Sequence, residues 1–276
     1  MSHMSYDISQ LKMMPRRHYG RMVSAALVLV VLAFIIRAFA IGKIEWSVVG
    51  QFLTVPAILH GIVNTLILTF CAMALGIMLG LTFALMRLSR NPVLSTAAIG
   101  YIWFFRAVPA LLQLLIFYNL ALVFPEISIP GLFSARTVDV MTPFVAALLA
   151  LGIQQGAFTA EVIRAGLLSV DKGQLEAAQT IGMRHPLALR HIVIPQAMRV
   201  IIPPVGNEVI SMVKLTSLAS VIQYNELLHS AENIYYANSR VIELLIVATF
   251  WYIIIVTILS LVQMQIEKRF SRGVNR

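Results

Sequence analysis

Long stretches of this chain carry little or no charge, each at least the roughly 20 residues a helix needs to cross a hydrocarbon core of about 30 Å. Six such spans are expected, over Met22 to Ile41, Ile58 to Met86, Val93 to Phe124, Met141 to Ile163, Val200 to Ile222 and Val241 to Met264. With 59% hydrophobic and only 12% charged residues, the folded surface must meet lipid, because a bundle of apolar helices needs charge only at its ends. The fold class is therefore all-α, a membrane protein of about six transmembrane helices. The third stretch is long and contains Pro109, which removes one helical hydrogen bond and crowds the preceding turn, so a kink or break is expected there.

The net charge of +9 falls in short clusters between apolar runs rather than along a stripe interleaved with aromatics. That argues against nucleic acid and for membrane orientation. Placing the N-terminus in the cytoplasm puts most of the 21 basic residues inside, among them Arg16, Arg17, Arg87, Arg90, Arg164, Arg184, Arg190 and Lys268. Both termini are then expected in the cytoplasm. The division expected is an N-terminal segment 1–21, a transmembrane domain 22–264 with a polar loop at 164–199, and a tail 265–276. The first span, with Ala38-Phe39-Ala40 at its end, also resembles a secretory signal; its length favours an uncleaved helix. Cys71 is the only cysteine, so no disulfide can form within the chain, and packing explains it. His60, His185 and His191 lack metal-ligand spacing, and no metal is assigned.

The loop 164–199 is far more polar than its surroundings. Asp171 followed three residues later by Gln174 predicts a capping box and a helix start. That helix should pass through Glu176, Ala177 and Ala178 to Ile181 and stop at Gly182, which can take the left-handed conformation. Pro186 suits the first turn of a second short helix, expected to end before Pro195. The result is a short helix across the membrane face with two small side chains that admit a partner and one carboxylate for a directional bond.

Glu176-Ala177-Ala178, Gly182, Ile192, Ile194 and Pro195 match at spacing the cytoplasmic loop of permeases in the ATP-binding-cassette importer superfamily, with Ile194 in place of leucine. The flanking Phe105-Arg106, Val108-Pro109, Leu112-Gln113-Leu114, Thr159-Ala160-Glu161, Pro195-Gln196-Ala197, Asn207 and Lys214-Leu215-Thr216-Ser217-Leu218 resemble polar amino acid importers of the histidine, glutamine and arginine type. The resemblance runs from about Gly61 to the C-terminus, and it implies a location in a bacterial inner membrane. It implies a five-helix type I importer core to which the first helix is additional. It also implies an ATPase-coupling role for Asp171, Glu176, Ala177, Ala178, Gly182 and Pro195. The implied partners are ATPase subunits, a second permease subunit in a homo- or heterodimer, an extracytoplasmic solute-binding protein and an amino acid substrate. No cofactor is expected on this chain itself. It has no phosphate loop, so ATP and magnesium belong to the partner ATPase, and the chain is a transport subunit rather than an enzyme.

Ionisable residues inside spans are costly and mark function by default. Gln154, Phe158 and Glu161 share one helix face by spacing, as do Asn207, Ser211 and Lys214, and both faces are expected to look inward. Asn64, Gln154 and Glu161 are candidates for the solute path, with bonding between helices the open alternative. Arg106, Glu208 and Lys214 read as gating or structural groups, and Glu243 as interfacial. Gly76 and Gly80 form a small-xxx-small pair that permits close helix approach. The rival function is a secondary transporter driven by an ion gradient, which would favour repeated halves with interrupted helices; no repeat is evident. An intramembrane enzyme finds no His-Glu-x-x-His, Gly-x-Ser-x-Gly or cysteine–base pair.

Overall fold

A computed structural model describes residues 19–129 and 133–270. The expected segments 1–21 and 265–276 therefore fall partly outside the described residues. The chain divides into two units, one ending at Glu45 and one beginning at Trp46. The first carries α1 (Tyr19–Ile41), an apolar helix with no buried residue. Its even hydrophobicity, without a polar stripe, suits a helix surrounded by lipid.

The second unit opens with the short α2 (Trp46–Phe52) and then α3 (Pro56–Leu88), which has proline in its first turn, where a missing amide costs nothing. Asn91 caps the next helix, α4 (Pro92–Ala107), by accepting from the Val93 amide at 2.9 Å. Pro109 stops it, and α5 (Ala110–Tyr118) leaves at 101°. The expected third span is thus two helices with a sharp corner, followed by a 3-10 turn at Leu120–Leu122. A small hairpin, β1 (Glu126–Ile129) with β2 (Phe133–Arg136), and α6 (Thr137–Val140) lead into α7 (Pro143–Leu168).

Beyond α7 come α8 (Lys172–Thr180), α9 (His185–Ala188), a π turn at Leu189–Val193 and α10 (Ile194–Leu215), extended by a 3-10 turn at Thr216–Ile222. Here one expectation is corrected: the second short helix does not end before Pro195 but runs on as one helical span from His185 to Ile222. Proline falls in the first turn of α10, and the wider π turn before it accommodates the ring and the missing amide. Last are α11 (Leu227–Asn238) and α12 (Val241–Phe270). Among the described residues five helical runs are long and apolar enough to cross a membrane, or six if α4 and α5 count as one broken span.

The core lies between α3 and α7. A Cβ on Gly76 would stand 2.6 Å from Gln155 Cγ, and one on Gly80 would stand 2.7 Å from Thr159 Cβ. The two contacts advance together along both helices, so α3 and α7 run parallel. Buried alanines on α7 (Ala146, Ala147, Ala150, Ala157, Ala160) extend the same close approach. Without a hydrophobic drive between helices in lipid, such backbone proximity supplies the van der Waals gain that holds them. Around it Leu68, Leu114, Leu151 and Met212 close the core with no more than 1% exposure.

Candidate coupling and translocation sites

One end of the second unit carries the α8–α9 turn. Asp171 caps α8, its carboxylate accepting from the Gly173 amide at 2.6 Å, while Gln174 donates its own amide to the Asp171 carbonyl at 3.1 Å. Half of the expected capping box is therefore present, shifted by one amide. The helix closes with a Schellman arrangement: Met183 N–H donates to Ala178 O and Gly182 N–H to Gln179 O, with Gly182 at φ +80°. Glu176 and Ala177 are exposed, whereas Ala178 is buried. The two alanines thus serve opposite sides, one on a free face and one against the bundle. Ile181 and Leu187 are exposed as well, so the α8–α9 turn is an apolar knob that also carries the Glu176 carboxylate.

Near the same end of α7 lies a pocket of about 540 Å³, lined by Arg87, Trp103, Arg106, Phe158, Glu161 and Arg164 among others. Glu161 forms an ion pair with Arg164 at 2.7 Å, and the Arg106 guanidinium sits 5.3 Å from the Phe158 ring centroid, over its face. Arg87 Nη1 donates to Ser95 Oγ at 3.3 Å. Since Arg164 is matched by Glu161, the pocket keeps two further cations, beside a carboxylate and aromatic surface. Such a site offers a home to both ends of a zwitterion.

The three expected path residues do not form one group. Glu161 lies in this pocket. Gln154 is 7% exposed and donates to the Val108 carbonyl at 3.3 Å. Asn64 donates to Asn225 O at 2.8 Å; with α3 and α7 parallel, it stands level with the start of α7, about 27 Å along the helix from Glu161. Its partner segment precedes α11, which Glu226 caps by accepting from Leu228 and His229 amides at 2.9 and 2.7 Å and from Tyr252 Oη at 2.8 Å. Glu226 is fully buried, and that burial pushes its carboxyl up to about 7, against the pull of those three donors.

Of the gating candidates, Arg106 lines the pocket. Glu208 on α10 accepts from Gln155 Nε2 at 2.7 Å and Thr159 Oγ1 at 2.9 Å, so it ties α10 to the pair of α7 side chains seated on Gly76 and Gly80. Lys214, Ser211 and Asn207 are exposed along one stripe of α10. This corrects the inward placement expected of that face: it points away from the bundle of a single chain. Glu243 is buried at the start of α12. Gln113, Gln155, Glu226 and Gln263 carry more interhelical bonding than sequence spacing indicates. Glu226 could have been found as a helix-capping carboxylate next to a Leu-Leu pair, but the others offer no local sign. Among the described residues no group of three or more His, Cys, Asp or Glu side chains could hold a metal ion.

Residues 72–272 match the family described as binding-protein-dependent transport system inner membrane component. The chain is 38% identical to the arginine transport system permease protein ArgU of Corynebacterium glutamicum, over 95% of this chain and 84% of that one. It is 40% identical to the L-cystine transport system permease protein TcyB of Bacillus subtilis, over 84% and 93% respectively. Among solved structures, an amino acid ABC transporter crystallised with histidines superposes with a TM-score of 0.68 at 36% identity, covering 78% of this chain and 94% of that one.

Proposed function

The chain belongs to the family of binding-protein-dependent transport system inner membrane components, and from that premise we propose that it moves polar amino acids inward, driven by a separate ATPase through the α8 knob. The observation that carries this reading is the projecting turn from Glu176 to Gly182. It carries an exposed carboxylate next to Ala177 on α8, and just beyond Gly182 the chain re-enters a helical run that passes from His185 through α9 and the π turn into a membrane span. A push on that turn has a direct route into the bundle. ATP and magnesium stay with the partner, and the knob faces the cytoplasm, in keeping with the basic residues around it.

Related permeases named for arginine and cystine point to amino acids as the solute class. The Arg87–Arg106–Glu161 pocket fits that class, with carboxylate against guanidinium and ammonium against Glu161. The polar stripe Asn207–Ser211–Lys214 cannot face acyl chains without a penalty of a few kcal/mol for the lysine alone. It faces a second permease subunit and the wet path between the two. A solute-binding protein delivers from the opposite side.

The test is Glu176→Lys or Gly182→Pro in the complex reconstituted with its ATPase. The expected outcome is normal membrane insertion with ATP-driven uptake reduced at least tenfold. Uptake at the wild-type rate in both variants would remove the coupling assignment.

A further inference from the structure

We infer that Gln154 and Gln113 are positioning residues for the solute pocket, locking the corner between α4 and α5 so that Arg106 is held opposite Glu161. This rests on the pocket reading given above.

Phe105 O and Val108 O are among the carbonyls that the corner leaves without helical donors. Proline has no amide, so Pro109 cannot donate to Phe105 O, four residues before it. The chain restarts its helix at Pro109, whose own carbonyl takes the Leu112 and Gln113 amides. Val108 O is therefore passed over as well. Side chains take up both: Gln113 Nε2 donates to Phe105 O at 3.0 Å and to Val108 O at 2.9 Å, and Gln154 Nε2 donates to Val108 O at 3.3 Å from across the interface.

Those two carbonyls bracket Arg106 and Ala107, both of which line the pocket. On the other wall, Phe158 and Glu161 lie one and two turns along α7 from Gln154, on its face. A single amide thus registers one wall against the other, and the Arg106–Phe158 stacking spans the gap it sets. Gln113 Oε1 is buried with no partner. Leaving that acceptor unmade is costly, so the side chain is held by its two donor bonds. Both amide protons go to Phe105 O and Val108 O, one on each side of Arg106.

Filling hydrogen-bond capacity alone would alter how much complex assembles, equally for every solute. Setting the distance between the walls alters KM and the discrimination between solutes. The experiment uses the permease with its ATPase and binding protein in proteoliposomes and a panel of radiolabelled L-amino acids, taking forward the two best transported. Variants are Gln154→Asn, which keeps the amide but shortens its reach by one methylene, Gln154→Met, Arg106→Gln and Glu161→Gln.

The expected result is a KM raised about fivefold in both Gln154 variants, unequally for the two solutes, with kcat per assembled complex within about twofold of wild type. If Arg106→Gln and Glu161→Gln impair uptake while Gln154→Asn keeps the wild-type KM and selectivity, the lock is overturned and the pocket stands. If neither Arg106→Gln nor Glu161→Gln changes KM, or no amino acid is transported, the pocket reading fails and the lock falls with it. A lower yield of complex with unchanged KM overturns the inference in favour of a structural role. Should Gln154→Met fail to assemble, Gln154→Asn decides.

Discussion

Glu161 shows how much one residue's meaning depends on its neighbours. Alone in a membrane span a carboxylate is a liability. Beside Arg164 at 2.7 Å, with Arg87 and Arg106 lining the same pocket, it is a paired charge, and in the function proposed above it is half of a zwitterion trap. Glu161→Gln removes the negative charge and leaves Arg164 with a neutral partner. Uptake of a cationic amino acid should then fall by about tenfold or more in kcat/KM, on the order of a charge-assisted bond, with insertion intact. Unchanged uptake kinetics would take Glu161 out of the path. Sequence spacing placed Glu161 on a face with Gln154 and Phe158, and the structure keeps them on that face. What spacing could not tell was that Gln154 spends its amide on a carbonyl exposed by a proline 45 residues earlier in the chain.

Elements here are matched in pairs, and the α3–α7 pair is the tightest. Gly76 and Gly80 receive the side chains of Gln155 and Thr159, which in turn hold Glu208 of α10. The glycines are thus part of a three-helix node rather than a generic close approach. Gly80→Leu would drive a branched side chain into Thr159, whose Cβ already stands 2.7 Å from where even an alanine Cβ would sit. Separation of α3 from α7 should cost about 1–3 kcal/mol, read as a lower melting temperature of the purified protein. Gly100→Leu, where nothing lies within 4 Å of an added Cβ, is the control expected to melt like wild type. A Gly80→Leu protein that melted with the control would show that the node does not hold the bundle. The Gly-xxx-Gly spacing was readable, but its occupants were not, since Gln155 and Thr159 carry no mark distinguishing them from neighbouring small or polar residues.

Across the whole second unit, the α8 end is largely exposed and the α11 end is built to be held. Asn64, Thr65 and Tyr252 all bond to the segment 224–227, with Glu226 at its centre. The groups facing Glu226 are Tyr252 of α12, Tyr224 of the preceding segment, and the His229 amide and Glu232 of α11, with Thr65 of α3 bonded to the Leu227 amide beside it. Its carboxyl is raised, so the folded state holds the proton more tightly than the unfolded chain. The resulting stability is complete below the ordinary glutamate range near 4.3 and is lost as pH rises through about 7. The melting temperature of the wild-type protein should therefore fall between roughly pH 4.3 and 7, and Glu226→Gln should flatten that slope. Parallel slopes for the two proteins would place the titration elsewhere.

The membrane environment, the number of spans, the corner at Pro109 and the capped turn closed by Gly182 were all legible in the linear sequence. Each follows from local physics: hydrophobic length against bilayer thickness, a missing amide, a backbone angle that only glycine adopts freely. Partners were decided only by the tertiary structure. It set which amide reaches Val108, which side chains fill the hollows at Gly76 and Gly80, and that the lysine stripe of α10 turns outward. Those depend on how helices far apart in sequence are rotated and offset against one another, and in lipid that choice is made by close packing and hydrogen-bond satisfaction rather than by any pattern along a single helix.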